Sequence, residues 1–435
     1  MKATAERIEK NTVQLEIELE AEHFDRAVDR AFRKLVKQVN VPGFRRGKTP
    51  RVIFERYYGK RALYEEAMEN LIPEAYLRAV RETGIEPVDR PEVEVVQAEE
   101  GKPVVLKATV LVKPEVELGQ YKGIEVVRPS TTVTEEDVEK ELELLRNRHA
   151  KLLTLEEGKV EKGDIAVIDF VGRLDGEPFE GGEGNSFPLE IGSGAFVPGF
   201  EEQVIGMSPG ETKEVEVVFP EDYRAENLAG KKAVFTVTVK EIRRKETAPL
   251  DDEFAKDVSE FDTLEELKKD IYDRLVKNAE NRAKNIIRQE VVSRAVENAA
   301  VDIPPVMVSN QVAEMLHSLE FRLATQGLTV DDYLRFTGSD PLEFKESLKP
   351  EAEKMVKTGL VLDAIGRAEG IEATEEEINE EIRKIALQYQ EEPQEMRAML
   401  ENDGRFNVVV SGIIREKVKQ FLVDNAVILD DEGDN

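Results

Sequence analysis

The sequence predicts a multidomain α+β protein: an N-terminal α/β domain, a central antiparallel β module with one short helix, and an all-α C-terminal region. Three observations predict it. Apolar periodicity switches from two to helical spacing within the first 39 residues. Tight-turn glycines are concentrated between short alternating strands over residues 150–245. From about 246 to 430 the apolar residues recur almost wholly at helical spacing. A chain of 435 residues is too long for one ordinary core, and its length implies about three domains.

In the N-terminal domain, residues 1–113, Val13, Leu15, Ile17 and Leu19 alternate with Gln14, Glu16 and Glu18, as in a half-buried strand. From Ala21 to Val39 the stripe becomes helical, through Phe24, Ala27, Val28, Ala31 and Leu35. Pro42-Gly43 stops that helix, and a loop over Gly43–Pro50 leads to a second helical stretch from near Arg51. A longer amphipathic helix spans about Lys60–Arg81 and ends at Thr83-Gly84, before strands at Glu92–Gln97 and Val104–Val112. Residues 114–149 form a connector expected to pack with the C-terminal region. Its helix starts at Thr134-Glu135-Glu136-Asp137 and continues through Val138, Leu142 and Leu145.

In the central module, 150–245, Val215 and Val217 alternate with acids ahead of Phe219, and Phe235, Val237 and Val239 alternate with threonines. In the C-terminal region, 246–435, one long helical face follows Leu264, Leu267, Ile271, Leu275, Ala279, Ala283 and Ile286. Further faces follow Val312–Leu323, Ile378–Tyr389 and Ile413–Leu422, punctuated by Pro304-Pro305, Gly338, Pro341, Pro350 and Gly370. No fixed repeat period argues for a solenoid. The acidic tail Asp430–Asn435 is expected to be disordered.

Composition excludes several chemistries. The chain is 40% hydrophobic and 35% charged, with no cysteine, so disulfides and thiolate chemistry are ruled out. His23, His149 and His317 are scattered, and neither a metal site nor a histidine triad is expected. No apolar run is long enough to span a bilayer. The polar N-terminus lacks a secretory stretch, so a cytoplasmic address and no membrane partner are expected. A net charge of −30 argues against free nucleic acid as a partner. Yet residues 30–61 hold eleven basic side chains against the single acid Glu55, a local +10. Such a reversal points to one anionic docking partner.

The loop at 43–50 lies inside that reversal. Gly47-Lys48-Thr49 imitates the end of a phosphate-binding loop, but the glycine required five residues earlier is Pro42, and a helix precedes instead of a strand. No nucleotide motif occurs elsewhere, and no cofactor is expected. Gly43 and Gly47 bracket a tight excursion with freedom for positive φ. Such a turn would present Phe44 outward, with Arg45 and Arg46 available to carboxylates or phosphates. A plain helical-hairpin turn with Phe44 tucked into the core accounts for the same residues.

Gly43-Phe44-Arg45-Arg46-Gly47-Lys48-Thr49-Pro50 resembles the G-F-R-x-G-K-x-P signature of the bacterial trigger factor family, with no departure at its fixed positions. The resemblance implies that this loop docks on a ribosomal protein beside the peptide exit tunnel, with partial residence on the ribosome.

In the central module, Asp169-Phe170-Val171-Gly172, Asp175–Gly182, Val197-Pro198-Gly199-Phe200-Glu201, Gly206-Met207 with Gly210-Glu211, and Phe219–Tyr223 follow in order. Together they resemble an FKBP-type peptidyl-prolyl isomerase domain, a β half-barrel that trigger factors carry mid-chain. That likeness implies that Phe170, Phe179, Phe187, Val197, Phe200 and Phe235 line a prolyl pocket. It also implies that Tyr223 donates to the substrate carbonyl and that Glu180 sits at the rim. One departure stands out: smaller members of the group have tryptophan where this chain has Phe200, so the pocket should be larger or shallower. The aromatics are equally what the core of a small β domain requires.

For the C-terminal region, the apolar stripes fit either a closed bundle or partly exposed patches that hold unfolded chains. Met307, Met315, Met355, Met396 and Met399 favour patches. The family resemblance implies a chaperone body with two arms within roughly 303–410, acting on nascent and unfolded polypeptides without ATP, and a homodimer when free. A stand-alone isomerase with unrelated flanks, and a nucleic-acid or scaffold protein using the basic stretch, are the alternatives.

Overall fold

The computed structural model describes residues 1–174, 176–221, 223 and 228–430, apart from the side chain of Glu180. Of the tail expected to be disordered, Asp430 instead pairs with Arg128 in a parallel strand, and 431–435 lie outside the described residues, as do Asp175 and Asp222 of the isomerase-like segments.

The N-terminal part comprises β1 (Lys2–Glu9), β2 (Thr12–Leu19), α1 (Ala21–Leu35), α2 (Arg51–Thr83), β3 (Glu92–Gln97) and β4 (Val104–Leu111). Then come β5 (Val116–Glu117), β6 (Glu125–Arg128) and α3 (Glu135–Arg148). The central module holds β7 (Lys151–Leu155), β8 (Ile165–Leu174), β9 (Glu177–Glu190), α4 (Phe200–Val204), β10 (Thr212–Val218) and β11 (Lys232–Glu246). The remainder holds α5 (Asp252–Val258), α6 (Leu264–Asn298), β12 (Ala300–Val301), α7 (Pro305–Ala324), α8 (Val330–Thr337) and α9 (Pro341–Ser347). It ends with α10 (Lys349–Glu369), α11 (Glu375–Tyr389), α12 (Pro393–Asn402), α13 (Phe406–Asp424) and β13 (Val427–Asp430).

Two compact units divide the chain: Met1–Pro129 together with the chain from Asn285 onward, and Ser130–Lys284. The connector is therefore split. Residues 114–129 belong to the first unit, whereas α3 packs Val138 and Leu142 on Phe254, Leu267 and Ile271 in the second. A capping box closes the start of α3, with Thr134 and Asp137 exchanging hydrogen bonds.

In the first unit, an antiparallel sheet of order β1-β2-β4-β3 faces two helices. Register pairs Leu15 with Ala108 and Ile17 with Leu106, so both alternating strands bury the same face. Phe24, Ala27, Val28 and Ala31 of α1 cover it, with Phe54, Leu63, Ala67 and Leu71 of α2. Gly59 interrupts α2 with φ 82° and ψ 155°, which separates the segment after the loop from the long helix. Strand β1 has no period-two signal because it is an exposed edge whose outward residues are polar.

The helical body of this unit is closed by segments distant in sequence. β5 pairs antiparallel with β12, and β6 parallel with β13. Ile124 and Val126 thereby join Ile287, Val291, Val361, Ile365, Val418 and Leu422 in one core. At Gly119 a Cβ would lie 2.1 Å from the Asn298 carbonyl oxygen, so only glycine fits this crossing. The buried face of α6 departs from the sequence stripe at its end: Ile287 is buried and Ile286 is exposed. The reason is that α6 buries Leu267 and Ile271 in one core and Ile287 and Val291 in another.

The second unit is built on a sheet of order β10-β11-β8-β9, with β7 on β11. Its core gathers Ile168, Phe200, Val204, Val215, Val237 and Val239. Arg244 holds the buried Asp164 through Nε at 2.8 Å and Nη2 at 2.7 Å.

In the first unit Asp363 of α10 accepts from Arg415 at 2.7 and 3.0 Å and from Lys113 at 2.8 Å. Burial pushes the Asp363 carboxyl up, but the hydrogen bonds and charges of Arg415 and Lys113 outweigh it and hold the group below its ordinary value. A depressed carboxylate pKa contributes stability above the unfolded value of about 4 and loses it as pH falls through the folded value. Melting of the full chain should therefore drop as pH falls below about 4. In Asp363→Asn the drop should be shallower and the melting temperature at pH 7 lower; an unchanged acid limb would contradict this.

Candidate functional site

A cavity of about 400 Å³ opens in the second unit. Phe170 of β8, Phe179 of β9 and Phe235 of β11 form its inner walls, with Val197 from the turn before α4 and Tyr223 from the loop after β10. The rings meet edge-on: Phe179 and Phe235 at 5.9 Å and 90°, Phe179 and Phe219 at 6.0 Å and 80°. Tyr223 sets its ring against Phe219 at 4.7 Å.

Two residues singled out by sequence stand elsewhere. Phe200 is fully buried beneath the cavity, because α4 turns it into the core. Phe187 is 42% exposed beside the cavity, edge-on to Phe170 at 6.0 Å. The side chain of Glu180 lies outside the described residues. Sequence reasoning missed Phe196, which lines the cavity and stacks on Phe200 at 4.5 Å with ring planes 29° apart. It also assigned no wall role to Phe219, Pro198 and Pro220. Phe196 sits one residue before the recognisable Val197–Glu201 segment, so no motif position marked it.

Glycines make room for these rings. A Cβ on Gly172 would lie 2.6 Å from Phe235 and 2.8 Å from Phe179. On Gly182 it would lie 2.8 Å from Phe179, and on Gly184 2.4 Å from Phe170. The glycine-rich composition of β8 and β9 thus has a packing cause: phenyl rings lie directly on backbone.

The 43–48 loop, in the first unit, is also a built structure. Gly43 and Gly47 adopt φ of 86° and 79°. Gly47 N–H donates to the Val36 carbonyl at 3.0 Å, and Lys48 N–H to that of Arg45 at 2.9 Å. Phe44 is 39% exposed and takes no part in the domain's core. Arg46 departs from the expected outward role: its Nε donates to the Lys37 carbonyl at 2.7 Å and Nη2 to that of Gln38 at 3.3 Å, bracing the loop against the turn that follows α1. Of the eleven basic residues over 30–61, three are neutralised by acids distant or adjacent in the chain. Lys34 pairs with Glu66, Arg51 with Asp29, Glu55 and Glu100, and Arg61 with Glu65. Arg45, Lys48, Arg56 and Lys60 have no ion pair among the described residues.

All three histidines are exposed, and no cluster of metal-ligating side chains occurs among the described residues. No described helix is long and apolar enough to cross a membrane.

The family model for bacterial trigger factor protein matches residues 1–145, and that for its C-terminus matches residues 263–424. The trigger factor of Pelotomaculum thermopropionicum is 63% identical over 99% of this chain and 98% of its own length. The chain belongs to the trigger factor family. The trigger factor of Desulforamulus reducens is 55% identical over 99% of each chain. A solved structure from work on promiscuous substrate recognition by the trigger factor chaperone shares the fold, with a TM-score of 0.53 at 24% identity over 98% of this chain and 99% of that one. The family model for FKBP-type peptidyl-prolyl cis-trans isomerase matches residues 156–240, so this trigger factor carries an isomerase domain of that type.

A methyl group on Gly172 must displace Phe179 or Phe235. Gly172→Ala in the full chain should lower kcat/KM for a prolyl peptide by roughly 10- to 100-fold. Wild-type turnover would show that the seating of these rings is irrelevant to the reaction.

Proposed function

We propose that this trigger factor is an ATP-independent chaperone that docks beside the ribosomal exit tunnel through Gly43–Lys48. In this reading it holds nascent and unfolded polypeptides on its helical body and isomerises X-Pro bonds in the cavity of the second unit. Its working parts are then a docking domain at 1–113, a connector at 114–149, an isomerase domain at 150–245 and a chaperone domain from 246 onward. It works in the cytoplasm, partly on the ribosome, and forms a homodimer when free.

The observation that carries the docking reading is the construction of the loop. An apolar ring left 39% exposed in a turn tied down by five hydrogen bonds is an expensive arrangement for a mere connection. The bonds in question are those of Gly47, Lys48 and Phe44 N–H and the two from Arg46. The uncompensated cations around it supply attraction toward an anionic surface, and Phe44 supplies desolvated contact. Free RNA fits less well, since the chain as a whole carries a net charge of −30 that repels a polyanion everywhere but at this segment.

At the cavity the chemistry is conformational. Rotation about a prolyl amide faces about 18–20 kcal/mol from C–N resonance. Twisting the bond localises the nitrogen lone pair and reduces charge separation, so an apolar enclosure favours the twisted form over the planar one. Phe170, Phe179 and Phe235 provide that enclosure, and the Tyr223 hydroxyl donates to the substrate carbonyl. No nucleophile is required. On the body, exposed Phe321, Phe336, Leu342, Leu387 and Met399 offer apolar contacts to clients.

Wild-type protein should pellet with ribosomes, and Phe44→Ala/Arg45→Ala should remain in the supernatant. Arg46→Ala should weaken binding indirectly, with faster amide exchange across 43–48. Equal pelleting of wild type and the double variant would refute docking through this loop. Tyr223→Phe should lower kcat/KM on a prolyl peptide by about tenfold, the worth of one lost hydrogen bond of about 1.4 kcal/mol; an unchanged rate would remove Tyr223 from the site.

A further inference from the structure

We propose that Glu201 is a positioning residue of the isomerase: its buried carboxylate clamps residues 192–196 and so holds Phe196 as the wall of the prolyl cavity over Phe200. This rests on the assignment of that cavity as the prolyl site.

Glu201 follows Phe200 in α4, and its side chain turns inward, with the residue only 6% exposed. Oε2 accepts from Gly192 N–H at 2.6 Å and Gly194 N–H at 3.2 Å. Oε1 accepts from the Ser193 hydroxyl and from Phe196 N–H, both at 3.3 Å. Four donors from one short segment converge on a single carboxylate. Burial pushes the Glu201 carboxyl up, and the bonds from Gly192, Gly194, Phe196 and Ser193 outweigh that and keep it below its ordinary value. The group is thus held ionised at neutral pH with no cationic partner among the described residues.

The clamped segment leads directly into the cavity. Gly194, Ala195 and Phe196 line it, followed by Val197 and Pro198. The Phe196 ring covers Phe200 face to face at 4.5 Å and meets Phe170 edge-on at 5.1 Å and Phe187 at 5.6 Å. The chain has no tryptophan. Two stacked phenyl rings supply the flat apolar area that one indole could provide, but the upper ring stands on a loop, not on the helix. Its placement therefore needs an anchor, and the N–H of Phe196 itself is bound to Glu201. An amide in place of the carboxylate offers one acceptor oxygen and turns an N–H₂ toward donors. Glu201→Gln should loosen the segment without removing any atom that lines the cavity.

Glu201→Gln, Phe196→Leu and their double variant, each in the full chain, test this by steady-state isomerisation of a prolyl peptide. Each single variant should lower kcat/KM about tenfold, mainly through KM, because the wall that binds the prolyl ring is displaced. A purely structural defect would lower the active fraction and leave KM unchanged. If Glu201 acts through Phe196, the double variant should match Phe196→Leu; independent effects would multiply to about 100-fold. Multiplying losses, an unchanged KM in Glu201→Gln, or wild-type kinetics in Phe196→Leu would each overturn the proposal. Should Glu201→Gln fail to fold, Ser193→Ala takes its place. It removes one donor to the same carboxylate and no atom of the cavity wall, and it should raise KM in the same direction. The Gly172→Ala and Tyr223→Phe variants separate the two levels: if both are inert the cavity assignment itself fails, whereas if both lose activity and the Glu201 and Phe196 variants do not, only this inference fails.

Discussion

Closure of the helical body by strands from opposite ends of the chain is the constraint on which the rest of the first unit depends. β5 and β6 lie immediately after the N-terminal domain, and their partners β12 and β13 come after the whole second unit. Backbone contact at Gly119 and Asn298 is so close that no side chain intervenes. Asn298 donates to the Gln120 carbonyl at 2.8 Å, and Gly123 N–H to that of Asn425 at 2.8 Å. The body core therefore cannot close until the C-terminal helix and strand exist. Such non-local pairing carries a loop-closure cost that slows assembly. By contrast, the N-terminal core draws on residues 13–112 and the isomerase core on residues 160–242, each from one continuous stretch. Both can form earlier, as separate cooperative units.

That division of labour suits the chemistry. The cavity proposed for isomerisation needs rigid apolar walls, and they come from rings seated on glycine backbone inside a self-contained β sheet. Client holding makes the opposite demand, for adaptable apolar surface. The helices from α7 to α12 leave Phe321, Leu342, Leu387 and Met399 exposed while Met396 and Leu400 remain in a small satellite core. A satellite core of this size keeps helices intact without burying every apolar side chain.

Much of this was legible in sequence because the signals were local. Alternation in Val13–Leu19 located one central strand of the N-terminal sheet, and Thr134 marked a true capping box. The illegible parts depended on partners remote in sequence. Edge strand β1 has no apolar alternation, since pairing with β2 defines it. The turn of α6 from Leu267 and Ile271 to Ile287 and Val291 reflects two different cores, which one stripe cannot express. At the sites, residue type was visible and direction was not. Arg46 looked like a docking cation and is a loop strut; Phe200 looked like a lining residue and is overlaid by Phe196. Lys34 and Arg51 counted toward a basic patch until the fold brought Glu66 and Glu100 to them.

The central claim is that the body delivers long chains to a cavity that is complete without it. Catalysed refolding of a proline-limited unfolded protein, compared between the full chain and the 150–245 segment, tests it most directly. On a short prolyl peptide the two should agree within about twofold, because the cavity is the same. On the unfolded protein the full chain should be faster by roughly 10²-fold, the gain expected when a second binding surface raises the local concentration of substrate. Equal rates on both substrates would contradict the account and leave an isomerase with unrelated flanks.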